Sequence, residues 1–260
     1  MSPKPPRSGA CGSNPVEPSA AASAPAAARA HGELTVADFL ALARHRLSPA
    51  PSDLIFDPGR GHTLRESDVG TDPDLAEDLM IGRPLRRAAV LVPVVAHAVP
   101  TLLLTQRTEH LPSHAGQIAF PGGKVEPGDA DAIATALREA REEIGLEPRF
   151  IRPLGYLDAL RTHTGFHVDP VVALVEPGFQ LRLDASEVAD AFEVPLAFLM
   201  DPANHDKQFR MRDGRRRDFY AMPYEKRFIW GVTAAMIRNM HLRLYCASGW
   251  SAGDATGKCP

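Results

Sequence analysis

Residues 103–146 read LLTQRTEHLPSHAGQIAFPGGKVEPGDADAIATALREAREEIGL, and the fold expected for the chain follows from how this stretch divides. The run from Ala132 to Ile144 is rich in Ala, Leu, Arg and Glu and contains neither Gly nor Pro, which predicts a helix. Gly145, with Pro148 just beyond it, predicts where that helix stops. Glu139 then stands three residues from Glu142 and four from Glu143, so the three carboxylates share one broad face. Like charges so placed repel by roughly 0.2–0.5 kcal/mol per exposed pair. A hard divalent cation would turn that repulsion into binding, because such ions take oxygen ligands from a few carboxylates together with substrate phosphates. The alternative is a solvated charged face, eased by Arg138 and Arg141. Phe120-Pro121-Gly122-Gly123 favours the site, since paired glycines allow close backbone approach, and a carbonyl at Gly122 or Gly123 adds an oxygen ligand.

Outward from this stretch, Ala88 to Val95 is a continuous Val-rich run and predicts a buried strand, with Pro93 suggesting an edge or a bulge. Thr101 to Gln106 predicts its hairpin partner, and Gln117 to Phe120 a short strand entering the Gly-Gly loop. Ile151 to Leu157 and Val168 to Val175 predict further strands, and Pro170 suggests that the second is an edge or begins there. Ser186 to Phe192 and Leu196 to Leu199 read as helical turns around Pro195. Lys207 to Arg212 and Asp218 to Met222 predict a hairpin with Gly214 in its turn. Ile229 to Tyr245 predicts a helix with Trp230, Thr233, Ala234, Ile237 and His241 on one face. Strands and helices in this mixed order predict an α/β fold, an α/β/α sandwich around a mixed sheet, over residues 84–245.

Residues 1–31 are Pro, Ala, Ser and Gly with few large apolar side chains, and predict a disordered segment. Residues 32–83 predict a helix from Leu34, capped by Thr35 and docked through Val36, Phe39, Leu40 and Ala43. An irregular stretch follows over 48–84, with a turn of helix expected over Asp74 to Met80, and residues 246–260 predict a flexible tail. A net charge of −3 speaks against a nucleic-acid binder. No apolar run approaches a membrane span, and no secretory signal is present. Cys11, Cys246 and Cys259 lack metal-ligand spacing and read as reduced thiols, so the expected location is cytoplasmic.

Gly-Gly, five residues, Asp129, and then Arg-Glu-Ala-x-Glu-Glu-x-Gly-Leu from Arg138 to Leu146 resembles the Nudix box of the Nudix hydrolases. Asp129 stands where the general box has Glu, and its spacing to Arg138 is one residue longer. The upstream run Leu103-Leu104-Thr105-Gln106-Arg107, Leu111 and His114-Ala115-Gly116-Gln117 resembles the motif of the coenzyme A pyrophosphohydrolase branch. That branch shares the longer spacing and Ala140.

The resemblance implies a Nudix-type sandwich and metal-dependent hydrolysis of the diphosphate of coenzyme A or acyl-coenzyme A. Another nucleoside diphosphate derivative, or a silent ligand-binding module, are the alternatives. It implies Mg²⁺ or Mn²⁺ held by Glu139, Glu142 and Glu143, with the carbonyl of Gly123 as a weaker addition. Arg138 is expected to orient Glu142. The catalytic base is open between a box Glu and a distal acid such as Glu187, which reads equally well as an ordinary acid at a helix start. Arg107, His114 and Gln117 are the expected substrate contacts, a guanidinium suiting a phosphate's geometry. The expected partner is a small-molecule nucleotide, with no nucleic acid or membrane and with a homodimer left open.

Overall fold

The apolar runs become strands and the Ala- and Glu-rich run becomes a helix in the computed structural model, which describes residues 34–69, 73–111, 113–212 and 214–246. The expectations for residues 1–31 and for the tail beyond 246 lie outside the described residues. The extension supplies α1 (Val36–Arg46), β1 (Leu54–Asp57), β2 (His62–Arg65) and α2 (Pro73–Asp78). The main sheet and its first helix are β3 (Arg86–Val95), β4 (Thr101–Arg107), β5 (Ile118–Ala119), β6 (Gly122–Lys124), α3 (Ala132–Ile144), β7 (Ile151–Tyr156), β8 (Leu160–Thr162), β9 (Phe166–Val175) and β10 (Val188–Pro195). After these come α4 (Leu196–Met200), β11 (Asp206–Arg212), β12 (Arg215–Tyr224), β13 (Arg227–Trp230) and α5 (Gly231–Tyr245).

The main sheet is mixed, ordered β10-β4-β3-β9-β7, with β5, β6 and β8 pairing to β4, β3 and β9. Only β3 and β9 run parallel. Alternate residues feed two cores, as the pleat requires. Ala89, Leu91, Val95, Leu103, Val171 and Ala173 face α3, whereas Ala88, Val92, Val94, Leu102, Leu104 and Val172 face α5. Both faces are therefore helix-covered, which makes the expected α/β/α sandwich. Ala132, Ala136 and Ala140, with Ile144 at the end, are what α3 packs into the core against the sheet, and the small size of the alanines brings the helix close to it.

Several expectations are corrected. Pro93 and Pro170 lie in the two central strands, at the points where one flank changes partner. Beside β3 the pairing passes from β6, ending at Val90, to β4, beginning at Val94. Leu91 N–H reaches the Pro121 carbonyl across this flank, and Pro93, two residues on, directs its nitrogen to the same side, where the ladder is interrupted. Beside β9 the change is from β8, at Val168, to β7, at Val171. In place of the helical turn expected over Ser186 to Phe192, Val188–Pro195 forms a strand, because it pairs along β4 from Arg107 to Thr101 and covers its open edge.

Trp230 belongs to β13, opposite Ala221, and α5 starts only after it, at Gly231. The stretch expected to be irregular contains the β1–β2 hairpin, while α2 falls where a helical turn is expected. Cys246, read as a free thiol, is disulfide-bonded, a pairing that sequence spacing did not reveal. Helix α1 keeps its expected cap: Asp38 N–H donates to Thr35 Oγ1, and Phe39 and Ala43 are buried in the α5-side core.

Candidate active site

Three short elements converge at the end of the sheet where β3 begins: the Gly-Gly strand β6, the second half of α3, and the adjoining ends of β4 and β10. Gly122 lies on β3 so closely that a Cβ there would sit 2.5 Å from the Ala89 carbonyl oxygen, and its φ of 158° suits glycine. Its N–H donates to Glu143 Oε2 at 3.1 Å, twenty-one residues away. A Cβ on Gly123 would overlap the Glu139 carboxylate, so this second glycine makes the hollow in which that carboxylate lies. The far end of α3 is held as well. Gly145 closes it in the left-handed conformation, and the Ile144 and Glu143 carbonyls accept from the N–H groups of Arg182 and Asp184. The loop that leads to Glu187 is thereby anchored to the carboxylate helix.

Arg138 ties the outer carboxylates together. Its Nε and Nη2 donate to the two oxygens of Asp129 at 3.0 and 2.9 Å, and Nη1 donates to Glu139 Oε1 at 3.0 Å and Glu142 Oε2 at 2.9 Å. Nη2 also donates to the Lys124 carbonyl at 3.0 Å. The link from Arg138 to Glu142 is the one expected from helical spacing; the links to Asp129 and Lys124 are not readable from spacing. Asp129 is held well below the usual carboxylate range, chiefly by Arg138 and then by the Glu126 N–H, with Thr135 assisting. It is thus a partner of the arginine rather than a free ligand.

Glu143 differs from its neighbours. Its side chain is 7% exposed, against 60% for Glu142. Burial pushes its pKa up to about 7; the Gly122 N–H and Arg107 oppose the rise, and Glu139 and Glu187 add to it. Burial likewise raises Glu139, against the pull of Arg138. Arg107, expected to meet substrate, stands between two acids: Nη1 lies 3.8 Å from Glu143 Oε1 and Nη2 lies 3.8 Å from Glu187 Oε2. Both distances are too long for hydrogen bonds. Glu187 sits in the turn before β10, not at a helix start, and its carbonyl accepts from Thr108 N–H at 3.0 Å. His114, in the left-handed region at φ 58°, pairs with Gln117 in the loop, Nδ1 to Oε1 at 2.8 Å. The structure therefore brings Arg107, Glu187, Glu139 and Glu143 together, whereas His114 and Gln117 bond each other.

Among the described residues, no three His, Cys, Asp or Glu side chains already converge as a ready metal site. Arg138 draws Glu139 and Glu142 to one side, while Glu143 turns to the Gly122 amide. The donor set still fits a hard cation. It consists of carboxylate oxygens, one of them in a glycine-lined hollow and another buried beside like charge, and a cation is what such charges lack.

A family model described as the NUDIX domain matches residues 85–213. A Nudix hydrolase called NudL, uncharacterized, from Yersinia pestis (strain Pestoides F) is 44% identical over 155 residues, covering 60% of this chain and 78% of that protein. The chain belongs to the Nudix hydrolase family. NudL of Yersinia pseudotuberculosis (serotype O:1b, strain IP 31758) is similar to the same extent, 44% over 155 residues with the same coverage. A crystal structure of a C. elegans Ap4A hydrolase binary complex aligns over 42% of this chain and 80% of that one, with 24% identity and a TM-score of 0.37. As a Nudix hydrolase the protein is a pyrophosphatase of small nucleotide substrates. Nudix hydrolases generally use divalent cations, in keeping with the oxygen-rich site. No described helix of this Nudix hydrolase is long and apolar enough to cross a membrane.

Proposed function

We propose that this Nudix hydrolase cleaves the diphosphate of coenzyme A or its acyl derivatives, releasing adenosine 3′,5′-bisphosphate and 4′-phosphopantetheine or its acyl form. The observation that carries the reading is the run Leu103 to Arg107, Leu111 and His114 to Gln117, which resembles the coenzyme A branch and leads straight into the carboxylate site. Arg107, near two acids but bonded to neither, has N–H groups to offer a substrate phosphate. His114 and Gln117 are then polar contacts of the same loop.

In this reading Glu139, Glu142 and Glu143, helped by the Gly123 carbonyl, would hold Mg²⁺ or Mn²⁺. Such an ion, when bound, supplies charge neutralisation for the diphosphate and a more acidic water. The protein's own groups do the rest. Arg138 steers Glu139 and Glu142 from the side, and the Gly122 amide fixes one oxygen of Glu143. The proton acceptor for the water is then drawn from the acids beside Arg107, Glu143 on one side and Glu187 on the other. The intact carboxylates speak against a silent binding module.

The test is product identification after incubation with coenzyme A, NADH or ADP-ribose and either Mg²⁺ or Mn²⁺. Adenosine 3′,5′-bisphosphate from coenzyme A supports the proposal. Hydrolysis of another dinucleotide with coenzyme A left intact overturns it and moves the substrate to the wider family range.

A further inference from the structure

Behind the strand ends that carry Arg107 and Glu187, on the opposite face of the sheet, one guanidinium bridges both strands. Arg227, the first residue of β13, donates from Nη1 to Gln106 Oε1 and from Nη2 to Asp190 Oδ2. Its Cζ lies 4.1 Å from the centre of the Phe192 ring. Gln106 and Asp190 are register partners between β4 and β10. Gln106 immediately precedes Arg107, and only Val188 and Ala189 separate Glu187 from Asp190.

Successive strand side chains point to opposite faces. Leu103 belongs to the α3-side core and Leu104 to the α5-side core, so Arg107 faces α3 and Gln106 faces α5. Between Val188 and Asp190 the register shifts, leaving Ala189 as the extra residue. Such a bulge re-aims the side chains beside it. On the α3 side the contacts of Arg107 with Glu143 and Glu187 are long. The backbone ladder sets the register of these strand ends, and the side-chain hydrogen bonds from a third strand that join Gln106 to Asp190 are behind them, at Arg227.

We propose that Arg227 is a positioning residue for hydrolysis: it pins Gln106 and Asp190 from the α5 side and so aims Arg107 and Glu187 at Glu143. A partly exposed ion pair adds little to stability, so the consequence is expected in geometry. The inference rests on the hydrolase roles given above to Arg107, Glu143 and Glu187, not on coenzyme A as substrate.

R227A and R227K are compared with wild type on whichever diphosphate the wild type cleaves, so that a wrong substrate assignment does not enter. R227A is expected to lower kcat about tenfold, as a small misplacement of a catalytic array does. Its thermal midpoint and its calorimetric Mn²⁺ affinity without substrate should match wild type. R227K, which keeps the charge, should recover part of the rate, and R227A should cost less in an R107A background, where only the placing of Glu187 remains to be lost, than it does in wild type. Crystal structures of wild type and R227A read the Arg107 position directly, whether or not a substrate is found. An unchanged kcat, unchanged Arg107–Glu143 and Arg107–Glu187 distances, or a loss of rate that follows a loss of thermal midpoint would each overturn the proposal.

Discussion

Asp158 and Glu143 are both carboxylates removed from water, 1% and 6% exposed, yet their surroundings are opposites. Asp158 lies at the seam between the extension, β8 and α5, and receives Thr63 Oγ1 at 2.8 Å, Asn239 Nδ2 at 2.9 Å and an Arg243 guanidinium. Its own N–H donates to Asn239 Oδ1 at 3.2 Å, so the pair is reciprocal. Arg243 in turn donates to the Arg46 carbonyl, which fastens the extension to the last helix. Glu143 has one backbone N–H at 3.1 Å, an arginine at 3.8 Å and further carboxylates nearby. A buried charge with every lone pair matched holds a fold together. One left short of partners keeps its affinity for protons and cations, which is what a reaction site needs.

The sharpest way to break this comparison is at Glu143 itself. E143Q should lower kcat by about 10²–10⁴-fold, the usual range for a lost acid–base group. Its metal-free thermal midpoint should hold or rise, because the amide has no buried charge to strand. A midpoint that fell with the rate would make Glu143 a second Asp158. D158A is the mirror image. It should lose about 3–5 kcal/mol of stability by chemical denaturation, the cost of leaving one member of a buried pair. Its kcat per folded molecule should be unchanged.

His205 extends the comparison to a buried base that has its partners. Its Nε2 bonds the Leu199 carbonyl at 2.7 Å and Arg238 Nη1 donates to Nδ1 at 3.3 Å. Burial pushes its pKa down to about 4 from an ordinary 6.5. The unfolded chain takes up this proton first, so the contribution is complete above pH 6.5 and drains away as the pH falls toward 4. The loss amounts to up to about 3 kcal/mol, at 1.36 kcal/mol per unit. Denaturation midpoints measured across that range should slope for wild type and flatten for H205Q. The smallest expected effect is at the glycine hollow. G123A should leave the fold intact but shift the Glu139 carboxylate, weakening Mn²⁺ binding in calorimetry by about tenfold, at the low end for a displaced supporting group.

Much of the fold was legible because its signals are local. The α3 run, its Gly145 stop and the Thr35 cap follow from composition and periodicity over a turn or two. The proline strands were misjudged for a specific reason. Pro93 and Pro170 look like edge residues, and only the positions of β4, β6, β7 and β8 reveal gaps at those points in otherwise central ladders. Of the two helical turns expected around Pro195, that over Leu196 to Leu199 forms as α4, but Ser186 to Phe192 was misread because an Ala-containing run fits a helix as well as a strand, and the vacant edge of β4 decides between them.

By itself the sequence determined where the carboxylates stand: three glutamates on one helical face and a glycine pair ahead of them, both products of short-range spacing. It also determined the apolar stripes that make a helix-covered sheet. Only the tertiary structure decided which glutamate is buried, since desolvation comes from neighbours remote in the chain. That is why Glu143 lies against Gly122 while Glu142, its immediate neighbour, remains in water. It likewise turned Arg107 toward Glu143 and Glu187 and gave Asp129 to Arg138. Charge partners are set by distance in space, and spacing along the chain fixes that distance only within a single helix or strand.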